Sequence, residues 1–326
     1  MPSPPDFTAF GLTRRRFLAA ASGAGAGLLA VPGHASAPVL RLGDQKGGIE
    51  ALLNSAGLFR DLPYRLEIKQ FVAAAPLLEA LNAGAVDLAW AGDAPTTFAL
   101  ANGTPARIVA AHRASGAGTA LLVKPESPVS GVADLVGRTI ATGRGSIGHA
   151  LVLAALKANK LPFDAVKFAF LLPAEAKVAL QSGAVDAWST WGVFVAQAML
   201  IDTYRQIVDG SNGLLSGLGY VIAHDSAIAS KRGAIGDIVA RTARARAWAV
   251  AHADDYARDL AGIIGVSFDV AKRTHETAPP LPVPIDATVI ADQQRTADLY
   301  ADAGLITRRV DVARFFDSSF NNSAPT

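Results

Sequence analysis

The sequence predicts an α/β protein built from two similar lobes, and three observations carry that prediction. Short apolar runs that end at turn residues alternate with stretches of helical periodicity, which is typical of parallel sheets covered by helices. The phrase LNAGAVDLAW at residues 81–90 returns almost unchanged as LQSGAVDAW at residues 180–188. A chain of 326 residues also exceeds what one small core needs, so division into two lobes is expected.

The first residues are interpreted as an export signal. Arg14, Arg15 and Arg16 precede Phe-Leu and an apolar stretch, and the small residues Ala35 and Ala37 follow. This order of segments is typical of secretory signals, and paired arginines before Phe-Leu mark the twin-arginine route. The apolar run is too short to span a bilayer, and a retained anchor or an amphipathic N-terminus are the alternatives. We predict export to the periplasm and cleavage after Ala37.

Composition excludes several classes of function. With Arg14, Arg15, Arg16 and Asp6 removed, the 30 basic and 28 acidic residues of the chain leave no formal net charge. Neither nucleic acid nor an anionic membrane is therefore expected as a partner. The basic cluster RTARARAW at residues 241–248 is interpreted as a solvated helix face. Because the chain has no cysteine, disulfides, thiolate nucleophiles and Cys metal sites are excluded.

Strands and helices can be assigned in order after the signal. The predicted strands are residues 39–43, 64–71, 86–90, 107–112, 119–124, 139–143, 166–172, 185–188, 204–208 and 217–224. The predicted helices are residues 49–59, 75–84, 94–103, 132–137, 148–160, 173–183 and 191–200, and the remainder is mostly helical.

Each copy of the repeated phrase is interpreted as a helix, a glycine and a strand. The helices stop at Gly84 and Gly183, and the strands carry Trp90 and Trp188 at their C-terminal ends. Ligands of open α/β sheets bind beyond the carboxyl ends of the strands, so both copies are expected to face one cleft. Coincidence is the alternative, since Ala, Gly, Val and Leu are common in this chain.

A glycine-rich turn, GRGSIG at residues 143–148, lies between a predicted strand and a predicted helix. It matches G-x-G-x-x-G formally, but it lies mid-chain and no acidic residue ends the next strand, so dinucleotide binding is not expected. Free N–H groups at Gly145, Ser146 and Ile147, with a helix dipole behind them, favour an anion instead. An ordinary turn between strand and helix remains the alternative.

Two further turns and a tryptophan pair complete the predicted site. Gly92 and Asp93 begin a helix after a strand, with helix capping as the expected role of the Asp93 side chain. Gln45 offers an amide in the turn GDQKGG, so three turns could surround one anion. Trp188 and Trp191 could form the wall against an alkyl or aryl group, although such pairs are more often core.

Catalytic and metal-binding patterns are absent from the sequence. The histidines show neither H-x-H nor H-E-x-x-H spacing, and Arg144 takes the place of the first glycine of G-x-S-x-G. No catalytic residue, metal ligand or cofactor is therefore predicted.

The ordered segments LRLGDQKGG, PLLEALNAGAVDLAWAGDAPTTFA, LLPAEAKVALQSGAVDAWSTW and QQRTADLYADAGLI resemble those of periplasmic aliphatic-sulfonate and taurine-binding proteins of ABC importers. The resemblance covers essentially the whole chain after the signal. It implies a type II periplasmic-binding fold of two α/β lobes joined by two crossovers, expected at residues 119–124 and 219–224. Lobe 1 would comprise residues 38–121 and 223–326, and lobe 2 residues 122–222.

The resemblance also implies which residues line the cleft, with the sulfonate held against main-chain N–H groups. These residues are Gln45, Gly92, Asp93, Ser146, Ile147, Trp188 and Trp191. Two departures stand out: Ala91 replaces a hydroxyl residue, and His112 and Arg113 lie where an acid is common. A more positive cleft would suit a dianion or another anion, and the amine of taurine less well.

These observations together predict a monomeric solute-binding protein that delivers a sulfonate or related small anion to an ABC permease. The same fold also serves nitrate-like anions and pyrimidine precursors, and the protein could feed a separate sensor instead. Enzymes of similar fold that cleave sulfinates use a Cys nucleophile, which this chain lacks.

Overall fold

The computed structural model describes residues 37–323. The predicted export signal, apart from Ala37, lies outside the described residues. Within the described part of the chain, no helix is both long enough and apolar enough for a bilayer crossing.

A six-stranded sheet forms lobe 1. Its order is β11-β4-β10-β3-β1-β2, with β1 parallel to β2 and β3, and β10 antiparallel to β3 and β4. Its strands are β1 Val39–Gln45, β2 Arg65–Phe71, β3 Leu88–Gly92, β4 Ala106–Arg113, β10 Leu218–His224 and β11 Leu281–Val283.

A five-stranded sheet of the same plan forms lobe 2. Its order is β7-β6-β8-β5-β9, with β6 parallel to β7 and β8, and β5 antiparallel to β8 and β9. Its strands are β5 Thr119–Val123, β6 Thr139–Thr142, β7 Lys167–Phe170, β8 Ala187–Trp191 and β9 Arg205–Asp209. The predicted α/β class with two similar lobes is confirmed.

Ten α-helices are assigned within residues 37–323: α1 Ile49–Ser55, α2 Ala74–Asn82, α3 Asp93–Ala101, α4 Ile147–Ala158, α5 Pro173–Ser182, α6 Val193–Leu200, α7 Asp225–Ala251, α8 Ala253–Ile264, α9 Phe268–Thr277 and α10 Ala287–Asp302. The long α7 is kinked at Lys231, whose backbone angles are not helical. Strand β11 was not predicted, because its three residues include Pro282 and carry no alternation of apolar and polar side chains.

The chain passes between the lobes at two short segments, residues 114–118 and residues 210–217, which we call the crossings. Strands β5 and β10, where the crossovers were expected, each belong to one sheet only. The lobe boundaries therefore fall several residues before the expected ones after residues 121 and 222. Each crossing follows directly on a strand of one sheet, β4 or β9, and precedes an antiparallel strand of the other, β5 or β10.

The two crossings contact each other through their backbones. The N–H of Ala114 donates to the carbonyl of Gly217 at 2.9 Å. A Cβ atom on Gly217 would overlap the carbonyl oxygen of Ala114, and one on Gly116 would overlap that of Gly210. Gly116 and Gly217 also have positive φ angles, +83° and +67°. Only glycine fits both the close approach and the backbone conformation.

The repeated phrase performs one structural task in both lobes. The Asp87 carboxylate, just before β3, accepts the backbone N–H of Arg41 in β1 at 2.8 Å. The Asp186 carboxylate, just before β8, accepts the N–H of Thr139 in β6 at 2.9 Å. Asp87 also pairs with Arg41 of β1, and Asp186 with Arg138, the residue directly before β6. The repeat thus fixes where the parallel strands start to pair, which explains why it recurs.

Helix α4 packs against both lobes. One face, with Leu151, Val152 and Leu156, lies in the core cluster around the lobe 2 sheet. The opposite face, with Ala150 and Leu153, belongs to the core cluster of lobe 1. A helix that is apolar all round is buried on all sides, and α4 is buried between the sheets.

We expect Gly217→Ala to destabilise the protein by about 2–4 kcal/mol, because the new Cβ meets a backbone oxygen that cannot rotate away. Urea unfolding, followed by circular dichroism, measures this difference. Gly262→Ala is the matched control, since a Cβ on this exposed residue of α8 meets nothing within 4 Å. That control should be neutral or stabilising by less than about 1 kcal/mol. Equal stabilities of the two variants would contradict the close approach.

Candidate ligand-binding site

A cavity of about 580 Å³ lies between the lobes. Both sheets contribute to it at the carboxyl ends of parallel strands, as expected for open α/β sheets. The two crossings form part of its wall, and α7, α8 and α9 close one side. Its size falls within the range of pockets that enclose small organic ligands.

Six of the predicted site residues line this cavity. They come from turns and strand ends of both lobes and are Gln45, Gly92, His112, Ser146, Ile147 and Trp191. The other four predicted residues are not part of the lining, and they are Asp93, Arg113, Gly145 and Trp188.

Asp93 is buried behind the cavity and fixes the turn that leads into α3. Its carboxylate accepts hydrogen bonds from the hydroxyls of Ser216 and Thr296 and from the N–H of Ala94. Burial raises the pKa of the Asp93 carboxyl above its ordinary value. The N-cap residue of α3 is Gly92 instead, and Asp93 is the first residue of the helix, with its carboxylate on the N–H of the second. Asp93 therefore holds a crossing and α10 against α3, in place of the expected role at a ligand.

Arg113 and His112 alternate along β4, so only one of them faces the cavity. Arg113 pairs with Asp292 at 2.6 Å, which compensates its charge. His112 accepts a hydrogen bond from Nε1 of Trp90 at 3.3 Å, and the two rings stack. Burial and the nearby Arg246 lower the pKa of His112 well below its usual range, so the ring is neutral at pH 7.

The turn before α4 brings Ser146 and Ile147 to the cavity. Ser146 caps the helix, with its hydroxyl accepting the N–H of His149 at 3.2 Å. Gly145 faces the ring of Phe98 in lobe 1 and does not face the cavity. The hydroxyl of Tyr300 donates to the carbonyl oxygens of Gly145 and Ser146 at 3.1 and 3.2 Å. These contacts tie the turn to lobe 1.

The two tryptophans of β8 have different environments because they are three residues apart, and odd spacing places side chains on opposite faces of a strand. Trp188 lies in the core of lobe 2 with 1% of its surface exposed. Trp191 ends the strand, lines the cavity and meets Phe194 edge to face at 6.5 Å.

Among the lining residues that were not predicted as site residues are Phe170, Tyr256 and Arg246. Arg246 contradicts the interpretation of residues 241–248 as a solvated face, since it is 4% exposed. Helical spacing from the buried Thr242 and Ala249 places Arg246 on the inner face of α7. This helical periodicity is the feature of the sequence from which the burial of Arg246 could have been predicted.

Burial shapes the charge of the lobe 1 wall. It lowers the pKa of Arg246 to about 10, so the guanidinium remains charged at neutral pH. Asp44 is buried nearby, and burial raises its pKa to about 6. Its carboxylate accepts three backbone N–H groups, from Gln45, Ile49 and Glu50. Within residues 37–323, no cluster of three His, Asp or Glu residues could hold a metal ion.

We expect His149 to make the stability of the protein depend on pH. It packs against Phe168 and Phe170, and burial lowers its pKa to about 4. Below pH 6.5 the unfolded chain binds a proton at this residue that the folded state does not. The free energy of unfolding should therefore fall between pH 6.5 and 4, by up to about 1.4 kcal/mol per pH unit from this residue.

Urea unfolding across this pH range measures the slope, which should be shallower in His149→Gln. The same substitution at the exposed His252 is the control for removal of an imidazole. An unchanged slope in His149→Gln would show that folding does not lower the pKa of this ring.

Comparisons with known proteins agree with this architecture. Residues 54–255 match the family model described as NMT1/THI5 like. An aliphatic sulfonates-binding protein of Escherichia coli K12 is 33% identical over 288 residues, covering 87% of this chain and 90% of the relative. One from Bacillus subtilis 168 is 25% identical over 296 residues, 89% of each chain.

A solved structure extends the comparison to three dimensions. The alkanesulfonate-binding protein SsuA from Xanthomonas axonopodis pv. citri, bound to MOPS, is 30% identical with a TM-score of 0.80. The match covers 87% of this chain and 99% of that one. The relatives are named as binding proteins, and the resemblance seen in the sequence is confirmed. The chain belongs to the NMT1/THI5-like family, together with these sulfonate-binding proteins.

Proposed function

We propose that this protein is the periplasmic solute-binding component of an ABC importer and captures an aliphatic or aryl sulfonate, or a related small organic anion. The observation that carries the proposal is the cavity enclosed by both lobes, in a chain whose relatives are named for sulfonates. Delivery to a permease in the inner membrane and a monomeric state belong to the same proposal.

The chemistry of the cavity supports an amphipathic anion as the ligand. Its walls include the rings of Trp90, Phe170 and Trp191, which suit an alkyl or aryl body. Ser146 and Ile147 bring the N-terminus of α4 to the cavity, and a helix N-terminus favours an anion. One buried cation, Arg246, lies on the opposite lobe.

The crossings supply the hinge that such a protein needs. Both lie at the cavity, and each is a few residues of irregular backbone between two well-ordered sheets. Closure by hinge motion would bring the lobe 2 residues onto a ligand held by lobe 1. The hydrogen bonds of Tyr300 to the turn before α4 would limit how far the lobes separate.

The export route rests on the sequence. The proposed signal occupies residues 1–37 and carries Arg14 and Arg15 before its apolar stretch. The mature protein would begin at Pro38, one residue before β1.

Thermal unfolding of the exported protein with a panel of anions tests the ligand class. A ligand that binds only the folded state raises the melting temperature, so we expect a rise with alkane- or arylsulfonates. The panel includes sulfate esters, nitrate and a pyrimidine. A rise with nitrate or the pyrimidine and none with any sulfonate would contradict the proposed ligand class.

Trp191→Ala should weaken binding of the sulfonate that gives the largest shift by about tenfold or more, because it removes an aromatic wall of the cavity. Isothermal titration calorimetry measures the loss. Phe268→Ala is the matched control, since Phe268 lies on the exposed face of α9, outside the cavity lining. Equal affinities of the two variants would place the ligand elsewhere.

Replacing Arg14 and Arg15 by lysine should leave the precursor in the cytoplasm, because the twin-arginine route requires the paired arginines. Fractionation and N-terminal sequencing of the exported wild-type protein provide the readout. Unimpaired export of the variant, or an N-terminus other than Pro38, would contradict the proposed signal.

A further inference from the structure

Arg246 is a buried cation at the wall of the cavity. It lies on the inner face of α7, and only 4% of its surface is exposed. Its guanidinium lies 5.7 Å from the centre of the Trp90 ring. Tyr256 and His275 from the neighbouring helices α8 and α9 line the same side of the cavity.

No carboxylate within residues 37–323 lies at ion-pair distance from Arg246. The negative charge of Asp44 attracts Arg246 only from beyond ion-pair distance. The carboxylate oxygens of Asp44 already accept hydrogen bonds from backbone N–H groups. His112 and His275 are neutral at pH 7, since burial lowers both pKa values. Arg246 thus differs from Arg113, which forms a salt bridge with Asp292.

An uncompensated buried charge destabilises a folded protein unless something else pairs with it. The cation–π contact with Trp90 offsets only part of the cost of burial. The open side of Arg246 faces the cavity. An anionic group of a bound ligand is the partner that this position lacks.

The rest of the cavity offers little to a cationic group. Among the described residues, Glu175 is the only acidic one that lines the cavity, and it is exposed. The Glu175 carboxylate also accepts the N–H of Leu172 at the start of α5. The lobe 2 cation, Arg144, is exposed and lies over the ring of Phe170 at 4.1 Å. A ligand ammonium group would therefore be desolvated without a buried counter-charge.

We propose that Arg246 binds the sulfonate group of the ligand and that the cavity selects sulfonates whose body is apolar and carries no positive charge. The planar guanidinium can donate two parallel hydrogen bonds to sulfonate oxygens. This inference rests on the proposed function and deepens it, because it names the class of sulfonate and the residue that recognises it.

The role of Arg246 is tested with two ligands of almost equal shape, benzenesulfonate and benzenesulfonamide. Calorimetry on the exported protein should show benzenesulfonate binding the wild type more tightly. Arg246→Gln should weaken benzenesulfonate binding about 30-fold or more, and binding of the uncharged sulfonamide less than about threefold. If Arg246 had only a structural role, its substitution would weaken binding of benzenesulfonate and benzenesulfonamide to a similar extent.

Arg244→Gln is the matched control. Arg244 lies two residues away on α7, in the same basic cluster, but is exposed and outside the cavity lining. Its substitution should leave both affinities unchanged. Arg246→Lys keeps a charge but loses the planar fork, so it should retain part of the discrimination.

Unliganded Arg246→Gln should melt at the same temperature as the wild type or higher, because the substitution removes an unpaired buried charge. A melting temperature well below the wild type would show that Arg246 supports the fold, and would overturn its assignment as a ligand residue. If the Gln variant does not fold at all, that outcome overturns the assignment in the same way.

The selection against positive charge is tested with ethanesulfonate and taurine, which differ by the amine. Ethanesulfonate should bind at least about tenfold more tightly, because the ammonium has no buried partner. Tighter binding of taurine would overturn the selectivity.

Sulfonate binding that is equal in wild type and Arg246→Gln would overturn the role of Arg246 but leave the proposed function intact. No binding of any sulfonate to the wild type would overturn the proposed function itself.

Discussion

The architecture depends on the backbone contact between the two crossings. Ala114 donates to Gly217, and Gly116 lies against the carbonyl of Gly210, so the two connections between the lobes run side by side. Their contact fixes where β5 and β10 enter the opposite sheets as antiparallel strands. The carboxyl ends of the parallel strands in both lobes consequently face one another across a single cavity.

Charge in this cavity is set by burial as much as by residue type. His112 and His275 are held neutral, Arg113 is paired with Asp292, and Asp44 is occupied by backbone N–H groups. Among the described residues of the buried lobe 1 wall, Arg246 is the charged group that has no ion-pair partner. A protein that pairs most of its buried charges and leaves one open towards a cavity has the arrangement expected for recognising a ligand of opposite sign.

Sequence reasoning predicted the backbone segments at the cavity better than the side chains that line it. Gln45 and Gly92 end strands, and Ser146 and Ile147 begin a helix, next to turns that lie at the carboxyl edge of a parallel sheet. Trp188 was misplaced because odd spacing along β8 places it on the core side, away from Trp191. Asp93, Arg113 and Gly145 lie close to the cavity, but other parts of the fold engage them.

The sequence by itself determined the α/β class, the duplicated lobe plan and the places where strands pass into helices. These features follow from local periodicity and from glycines and prolines at element ends, which act over a few residues. Only the tertiary structure decided which charged side chains have a partner of opposite charge. Arg246 meets Trp90 from 156 positions further along the chain, and Arg113 meets Asp292 from a similar distance. Whether a charge is paired or free for a ligand depends on contacts between residues far apart in sequence, and no local pattern encodes them.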